Sequence, residues 1–304
     1  MTGVSSYPGA RLIDGRAEAA TLTDIIAHEV MRLREGGVTP SLAVVLVGDD
    51  PASHIYVRNK IRAVRTVGMH SVSHRLPADT SQAVVLDLIS SLNTDPSVHG
   101  ILVQLPLPAH IDSDKIIDAI TPAKDVDGFH IVNAGKLAVG REDGMIPCTA
   151  LGCRQLLRRV LPCMAGLHAV IIGCSNIVGR PTARLLLNEG CTVVMTHLQS
   201  RDVAAEARRA DILVVAAGHA GLVRGDWVRP GCVVIDVGIN GVESSGRARI
   251  VGDVAFDEVM PHAAAITPVP GGVGPMTIAC LLWNTLCAAQ GRGKKELPRV
   301  ECLI

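Results

Sequence analysis

The stretch Ala169-Val-Ile-Ile-Gly-Cys-Ser-Asn-Ile-Val-Gly-Arg-Pro-Thr-Ala-Arg-Leu-Leu-Leu187 decides the reading of the fold. It opens with a continuous apolar run, Ala169 to Ile172, and turns at once on Gly173. Ala183, Leu186 and Leu187 then share one face of a helical pattern. Strand, glycine turn and helix in that order begin a dinucleotide-binding βαβ unit. The helix N-terminus offers unpaired N–H groups and partial positive charge to a pyrophosphate, and glycine lets the backbone approach without a Cβ in the way. The usual pattern is G-x-G-x-x-G; here it reads Gly173-x-Ser175-x-x-Val178-Gly179, with a serine hydroxyl in place of the second glycine and Cys174 inside the turn. Alone, this motif is equally compatible with a purely structural strand-to-helix turn. The next apolar run, Cys191 to Thr196, lies where the second strand of a nucleotide unit belongs. No Asp or Glu ends that run to bind a ribose 2′-hydroxyl, whereas Arg180 and Arg201 are near, which favours a 2′-phosphate and hence NADP.

On the N-terminal side of this stretch, helical and strand patterns alternate. Leu22, Ile25, Ile26, Val30 and Leu33 have helical spacing after Asp14, a candidate N-cap, and Gly36-Gly37 ends the pattern. Ser41 to Val47 reads as a buried strand, and Asp50 with Pro51 starts a helix running to about Val67. Strands at His70–Leu76 and 100–105 flank a helix over Thr80–Asn93, a short helix spans Asp112–Ile120, and a helix at Cys148–Leu161 leads into the nucleotide unit. Beyond that unit, strands are expected at Ile212–Ala216 and Cys232–Val237, and an apolar helix at Thr277–Ala289. The basic tail from Gly291 to Arg299 is expected to be mobile. Alternating strands and helices with short connections indicate an α/β protein with largely parallel sheets.

Composition narrows the function classes. The chain has 304 residues, enough for about two domains. Twenty-nine basic residues balance 29 acidic ones, which argues against nucleic acid or an anionic membrane as the main partner. No apolar run approaches a membrane span, and the N-terminus lacks the pattern of a signal peptide. Nine cysteines without C-x-x-C pairs indicate no metal site and no disulfide scaffold, and read as the reduced thiols of a cytoplasmic protein. The C-terminal Glu-Cys-Leu-Ile is not a prenylation box, because its cysteine stands third from the end.

Several residues stand out as candidates for chemistry. Tyr56 and Lys60 are one helical turn apart and project from one face; the spacing alone favours an interfacial tyrosine above a solvated lysine. Gln104 sits at the carboxyl end of a parallel strand, where ligands bind, or ties down a neighbouring loop. Asp125 and Asp127 precede Gly128 in a turn, and turn chemistry alone accounts for them. The run Thr267-Pro-Val-Pro-Gly-Gly-Val-Gly-Pro-Met-Thr277 is too apolar for an ordinary linker and leads into a helix expected to start at Met276 or Thr277.

Taken together, Tyr56-Val-Arg-Asn-Lys60, Val103-Gln-Leu-Pro-Leu-Pro108, Lys124-Asp-Val-Asp-Gly-Phe-His130 and the 267–277 loop resemble the bifunctional methylenetetrahydrofolate dehydrogenase/methenyltetrahydrofolate cyclohydrolase family, from Leu12 to Ala289. The resemblance implies oxidation of 5,10-methylenetetrahydrofolate with NADP⁺, then hydrolysis of the methenyl product to 10-formyltetrahydrofolate. It also implies site roles. Lys60 matches the catalytic lysine of the hydrolytic step, Gln104 the residue that positions it, and Tyr56 the ring that stacks on the aminobenzoyl portion of folate. Asp127 matches the carboxylate that holds the pterin, and Pro270, Gly271 and Gly272 the backbone lining that region. Ile239 matches a position beside the cofactor, and Thr277 joins the cofactor set with Gly173, Cys174, Ser175, Val178 and Gly179. Family members commonly carry Arg at Cys174 and Ser at Leu198, both around the 2′-phosphate, and a proline at Ile131 and at Ala150.

The expected architecture is thus an N-terminal α/β folate-binding domain, residues 1–148 with 277–304 returning to it, and a Rossmann-like NADP-binding domain, residues 149–276, with a cleft between them. The resemblance also implies a homodimer acting on tetrahydrofolate derivatives. Two alternatives stay open: a monofunctional dehydrogenase of the same family, against which Lys60 and Gln104 argue, and a non-catalytic folate- or nucleotide-binding regulator.

Overall fold

The computed structural model describes residues 10–141, 143–244, 247–291 and 297–298. Most of the basic tail, Tyr7 and the C-terminal Glu301–Ile304 lie outside the described residues. In chain order the elements are β1 (Arg11–Leu12), α1 (Gly15–Glu35), β2 (Ser41–Val47), α2 (Pro51–Thr66), β3 (His70–Leu76), α3 (Gln82–Thr94), β4 (Gly100–Val103), α4 (Ser113–Asp118), α5 (Ile131–Ala138) and α6 (Cys148–Val160). There follow β5 (His168–Ile172), α7 (Gly179–Asn188), β6 (Thr192–Thr196), α8 (Val203–Ala207), β7 (Ile212–Val215), β8 (Val233–Asp236), β9 (Asn240–Ser244), β10 (Arg247–Val251), α9 (Phe256–Val259), β11 (Ala265–Ile266) and α10 (Val273–Ala289).

The chain forms two compact units. The first contains residues 20–148 together with the segment from Ile278. Its parallel sheet has the order β3-β2-β4. Every residue of β2 and β4 is buried, which is why both read as unbroken apolar runs. β3 is an edge strand and alternates polar with half-buried residues. Ala43, Val45, Ile89, Ile101 and Ile116 are among the fully buried residues of its core. The helix starts follow local chemistry: Asp50 accepts from Ser53 N at 2.8 Å with Pro51 at the first position, and Ser81 accepts from Val84 N at 3.4 Å.

The second unit contains residues 149–277 and the described residues up to Ala19. Its six strands run parallel in the order β1-β11-β8-β7-β5-β6. The chain leaves β5 for β6 on one side and returns to β7 on the other. The carboxyl ends of β5 and β7 therefore form the topological switch point at which such sheets bind ligands. Two sequence-based expectations change here. The segment up to Ala19, expected in the N-terminal domain, belongs with this sheet, because Arg11 and Leu12 pair with Ala265 and Ile266. α10 begins at Val273 rather than at Met276 or Thr277, since Pro275 falls in its first turn, where no N–H is required.

A buried carboxylate closes β8. Asp236 accepts from the backbone N–H groups of Gly238, Asp253 and Val254 at 2.9–3.0 Å. Burial, with a smaller contribution from Asp253, still raises its pKa to about 6, against an ordinary 3.8. A carboxyl raised in the folded state binds its proton more tightly there, so its contribution to stability falls as pH rises from about 4 to about 6. Relative to Asp236→Asn, the parent is expected to lose about 1.4 kcal/mol of unfolding free energy between about pH 5 and pH 7.5, measured by urea titration. A constant difference between the two proteins across that range would show that Asp236 does not titrate there.

Candidate active site

In the first unit, α2 carries Tyr56 and Lys60 one turn apart, as their spacing predicts. Tyr56 is 40% exposed and Lys60 is half-buried. Lys60 Nζ donates to Gln104 Oε1 at 3.1 Å across 44 residues of sequence. Gln104 stands one residue beyond β4; its N–H is held by Val45 O at 2.9 Å and its Nε2 donates to Leu105 O at 2.6 Å. With the amide nitrogen so engaged, the carbonyl oxygen faces the lysine.

The 124–128 turn brings a carboxylate to the same place. Ile101 N donates to Lys124 O at 2.7 Å, which fastens the turn to β4. Asp125 is buried and accepts from Gly128 N, His130 N and Asn133 Nδ2, so its role is to shape the turn. Gly128 adopts φ +77°, and a Cβ there would lie 2.5 Å from the Ile146 carbonyl carbon. Asp127, half-buried between them, is left facing Lys60. Burial raises the pKa of its carboxyl, the Lys60 ammonium opposes that rise, Asp125 adds to it, and the nearby Cys148 thiol opposes it. Burial first, and then Asp127, raise the Cys148 thiol well above its ordinary range, so it stays protonated, and it donates to Val126 O at 3.3 Å. Asn284 of α10 ties the turn to the segment before Cys148, donating to Val126 O at 2.8 Å and Ile146 O at 3.0 Å.

In the second unit, the β5–α7 turn is shaped by two glycines. Gly173 has φ +113°, and a Cβ there would meet Ala216 O at 2.1 Å, where the ends of β5 and β7 converge. A Cβ at Gly179 would lie 2.0 Å from Gly173 O, so strand and helix can close only on glycine. Ser175 Oγ accepts from Val178 N at 3.2 Å and Gly179 N at 3.4 Å, which leaves its O–H free to donate outward. The N–H groups of Ser175, Asn176 and Ile177 have no acceptor among the described residues. Cys174 turns inward, its thiol 3.4 Å from Thr196 O, and Arg180 Nε donates to Cys174 O at 3.2 Å. Leu198 is fully exposed and Ile239 is 49% exposed. Pro270, Gly271, Gly272 and Thr277 all belong to this unit. The Thr277 hydroxyl lies 3.3 Å from Val273 O and 3.2 Å from Thr149 Oγ1, in the second turn of α10 rather than at its start.

Two family models match the chain. Residues 13–127 match the catalytic domain of tetrahydrofolate dehydrogenase/cyclohydrolase, and residues 147–293 match its NAD(P)-binding domain. The chain belongs to this family. The bifunctional protein FolD of Gluconacetobacter diazotrophicus is 62% identical over 93% of this chain and 92% of its own length. A FolD protein of Paracoccus denitrificans is 58% identical over 93% and 95%. Among solved structures, the FolD methylenetetrahydrofolate dehydrogenase/cyclohydrolase of Campylobacter jejuni superposes with a TM-score of 0.90 at 49% identity, over 93% of this chain and 99% of that one. The Trypanosoma brucei enzyme, solved with NADP and an inhibitor, has a TM-score of 0.90 at 40% identity, over 93% and 98%.

As a member of the tetrahydrofolate dehydrogenase/cyclohydrolase family, the chain brings together three residues singled out in its sequence: Lys60 bonds to Gln104 and interacts with Asp127. Sequence reasoning missed Cys148 and Asn284. Cys148 sits at the start of a helix read only as a link between domains. Asn284, an amide in a helix whose other polar side chains are threonines, was the available signal, since a buried amide must find partners.

Proposed function

We propose that this chain catalyses two consecutive reactions, oxidation of 5,10-methylenetetrahydrofolate with NADP⁺ and hydrolysis of the methenyl product to 10-formyltetrahydrofolate. The observation that carries the second reaction is the Lys60 Nζ–Gln104 Oε1 hydrogen bond beside Asp127. In this reading Tyr56 stacks on the aminobenzoyl ring, Asp127 holds the pterin, and Pro270, Gly271 and Gly272 line the folate. Water adds to the methenyl carbon, the bond from that carbon to N5 breaks as the added hydroxyl becomes the formyl carbonyl, and of the water's two protons one ends on N5 and the other leaves to solvent. Lys60 moves the protons at its Nζ, held in place by Gln104.

The turn from Gly173 to Gly179 fits a pyrophosphate: Cβ-free backbone, three N–H groups without acceptors and the Ser175 hydroxyl face outward together. When bound, NADP⁺ supplies the hydride acceptor. Cys174, Val178, Ile239 and Thr277 complete the cofactor set in this reading. A homodimer in the cytoplasm, with no nucleic-acid or membrane partner, belongs to the same proposal; family likeness, reduced thiols and zero net charge support it.

The decisive assay follows absorbance with 5,10-methylenetetrahydrofolate and either NADP⁺ or NAD⁺. Reduction with neither cofactor would sink the proposal. Cofactor preference gives a sharper result. Cys174 and Leu198 offer no forked cationic donor to a 2′-phosphate, which forgoes ~1.5–3 kcal/mol, or about 10- to 150-fold in affinity. NADP⁺ is still expected to bind more tightly than NAD⁺, and Cys174→Arg to tighten NADP⁺ while leaving NAD⁺ nearly unchanged. Tighter NAD⁺ binding by the parent would overturn the cofactor assignment.

A further inference from the structure

A second buried network stands at the carboxyl ends of β7 and β8, beside the Gly173 turn. Asp253 is fully buried. One of its oxygens accepts from Ala217 N at 2.7 Å and Gly218 N at 2.8 Å, in the exposed loop after β7. The other accepts from Asn240 Nδ2 at 2.8 Å, next to the exposed Ile239 in the segment after β8. Asp253 is itself seated by Asp236, whose carboxylate takes the N–H groups of Asp253 and Val254. The space for both is made by absent side chains: a Cβ at Gly238 would fall 2.2 Å from Asp253 Oδ1, and one at Gly252 1.8 Å from Asp236 Oδ2. Two neighbouring carboxylates inside a protein repel each other, and a fold seeking stability alone would avoid them. What they hold in common is the pair of loops that follow the strands of the switch-point side of the sheet.

We propose that Asp236 and Asp253 are positioning residues for the dinucleotide: Asp253 fixes the 217–218 backbone and Asn240 where the cofactor lies against them, and Asp236 holds Asp253 in place. Neither carboxylate touches the cofactor. The inference rests on the NADP reading of this unit. It assigns to these two residues an effect on cofactor affinity that leaves the folate chemistry alone. Among the described residues the charged group facing the Asp236 carboxylate is Asp253, and the backbone N–H groups of Gly238, Asp253 and Val254 are its hydrogen-bond donors, while the Thr267 hydroxyl accepts from the Asp236 backbone N–H. Protonation of Asp236 weakens its grip on the 253–254 backbone, so cofactor affinity falls in acid.

The test measures NADP⁺ dissociation constants near pH 8 for the parent, Asp253→Ala and Asp253→Asn, with cofactor-free hydrolysis of methenyltetrahydrofolate as a control for the folate chemistry. Asp253→Ala is expected to raise the constant by about 10- to 150-fold, as two backbone bonds to a charged group are lost. Asp253→Asn keeps an oxygen for Ala217 and Gly218, while Asn240 can rotate its amide to meet the new NH₂ group; a change below about threefold is expected. Hydrolysis should stay within about twofold of the parent in both. Unchanged affinity in Asp253→Ala, or loss of hydrolysis in step with affinity, overturns the proposal. A second measurement serves if the alanine variant does not fold. NAD⁺ has no 2′-phosphate titrating near pH 6, and its dissociation constant for the parent should rise about tenfold from pH 7 to pH 5 as Asp236 protonates, but stay flat for Asp236→Asn. A flat parent profile refutes the role of Asp236. A parent that binds neither cofactor refutes the NADP reading itself, and the positioning role with it.

Discussion

Replacing Lys60 with methionine is expected to slow hydrolysis of methenyltetrahydrofolate by about 10²- to 10⁴-fold, the usual worth of a positioned proton-transfer group. Methionine keeps the length and apolar stem of lysine and removes the ammonium. Hydrolysis must move protons from the attacking water to N5, and Lys60 is an ammonium held by Gln104 that interacts with Asp127. Hydride transfer has no such need. The methylene carbon gives up its hydrogen as hydride, the adjacent nitrogens stabilise the cation, and the enzyme's task is alignment. Dehydrogenase activity should therefore persist at a measurable level. Parental hydrolysis in the Lys60→Met enzyme would falsify the proton-transfer role, and equal loss of both activities would make Lys60 a binding residue instead.

The chain shows where sequence reasoning carries and where it stops. Gly173 and Gly179 could be singled out because a strand-to-helix turn has one steric demand, and Cβ contacts of 2.1 and 2.0 Å show that demand in place. Gln104 stood out as a polar residue at the end of an apolar strand, yet its bond to Lys60 crosses 44 residues and no spacing rule reaches that far. β1 is two residues long, too short to show a period, and it exists only because β11, more than 250 residues later, offers an edge. The start of α10 was displaced by glycines and prolines that read as loop, although proline is compatible with a first helical turn. α5 was missed for the opposite reason. It has eight residues, contains Gly135, and starts with His130, whose ring nitrogen caps Val132 N at 3.0 Å. The buried pair of Asp236 and Asp253 left a faint trace, an aspartate ending each of two apolar segments, and nothing in the sequence says that they meet.

Asp127→Ala should weaken both reactions together, and by a similar factor. Gly128 and the donors to Asp125 hold the turn from which the Asp127 carboxylate interacts with Lys60, and Asn284 braces the carbonyls of Val126 and Ile146. A carboxylate held in this way can accept charge-assisted hydrogen bonds from the pterin, worth ~1.5–3 kcal/mol, or about 10- to 150-fold in folate affinity. The same carboxylate interacts with the Lys60 ammonium, which sets a competing role in which Asp127 acts on Lys60 alone. The two roles separate cleanly in the variant. A pterin contact serves the single folate pose that both reactions use, so its loss raises the KM for methylenetetrahydrofolate and methenyltetrahydrofolate alike. A purely electrostatic influence on Lys60 leaves hydride transfer intact and lowers hydrolysis only. Measuring both activities in one Asp127→Ala preparation decides between them. If folate affinity and both rates stay at parental values, the carboxylate serves only the turn that carries it.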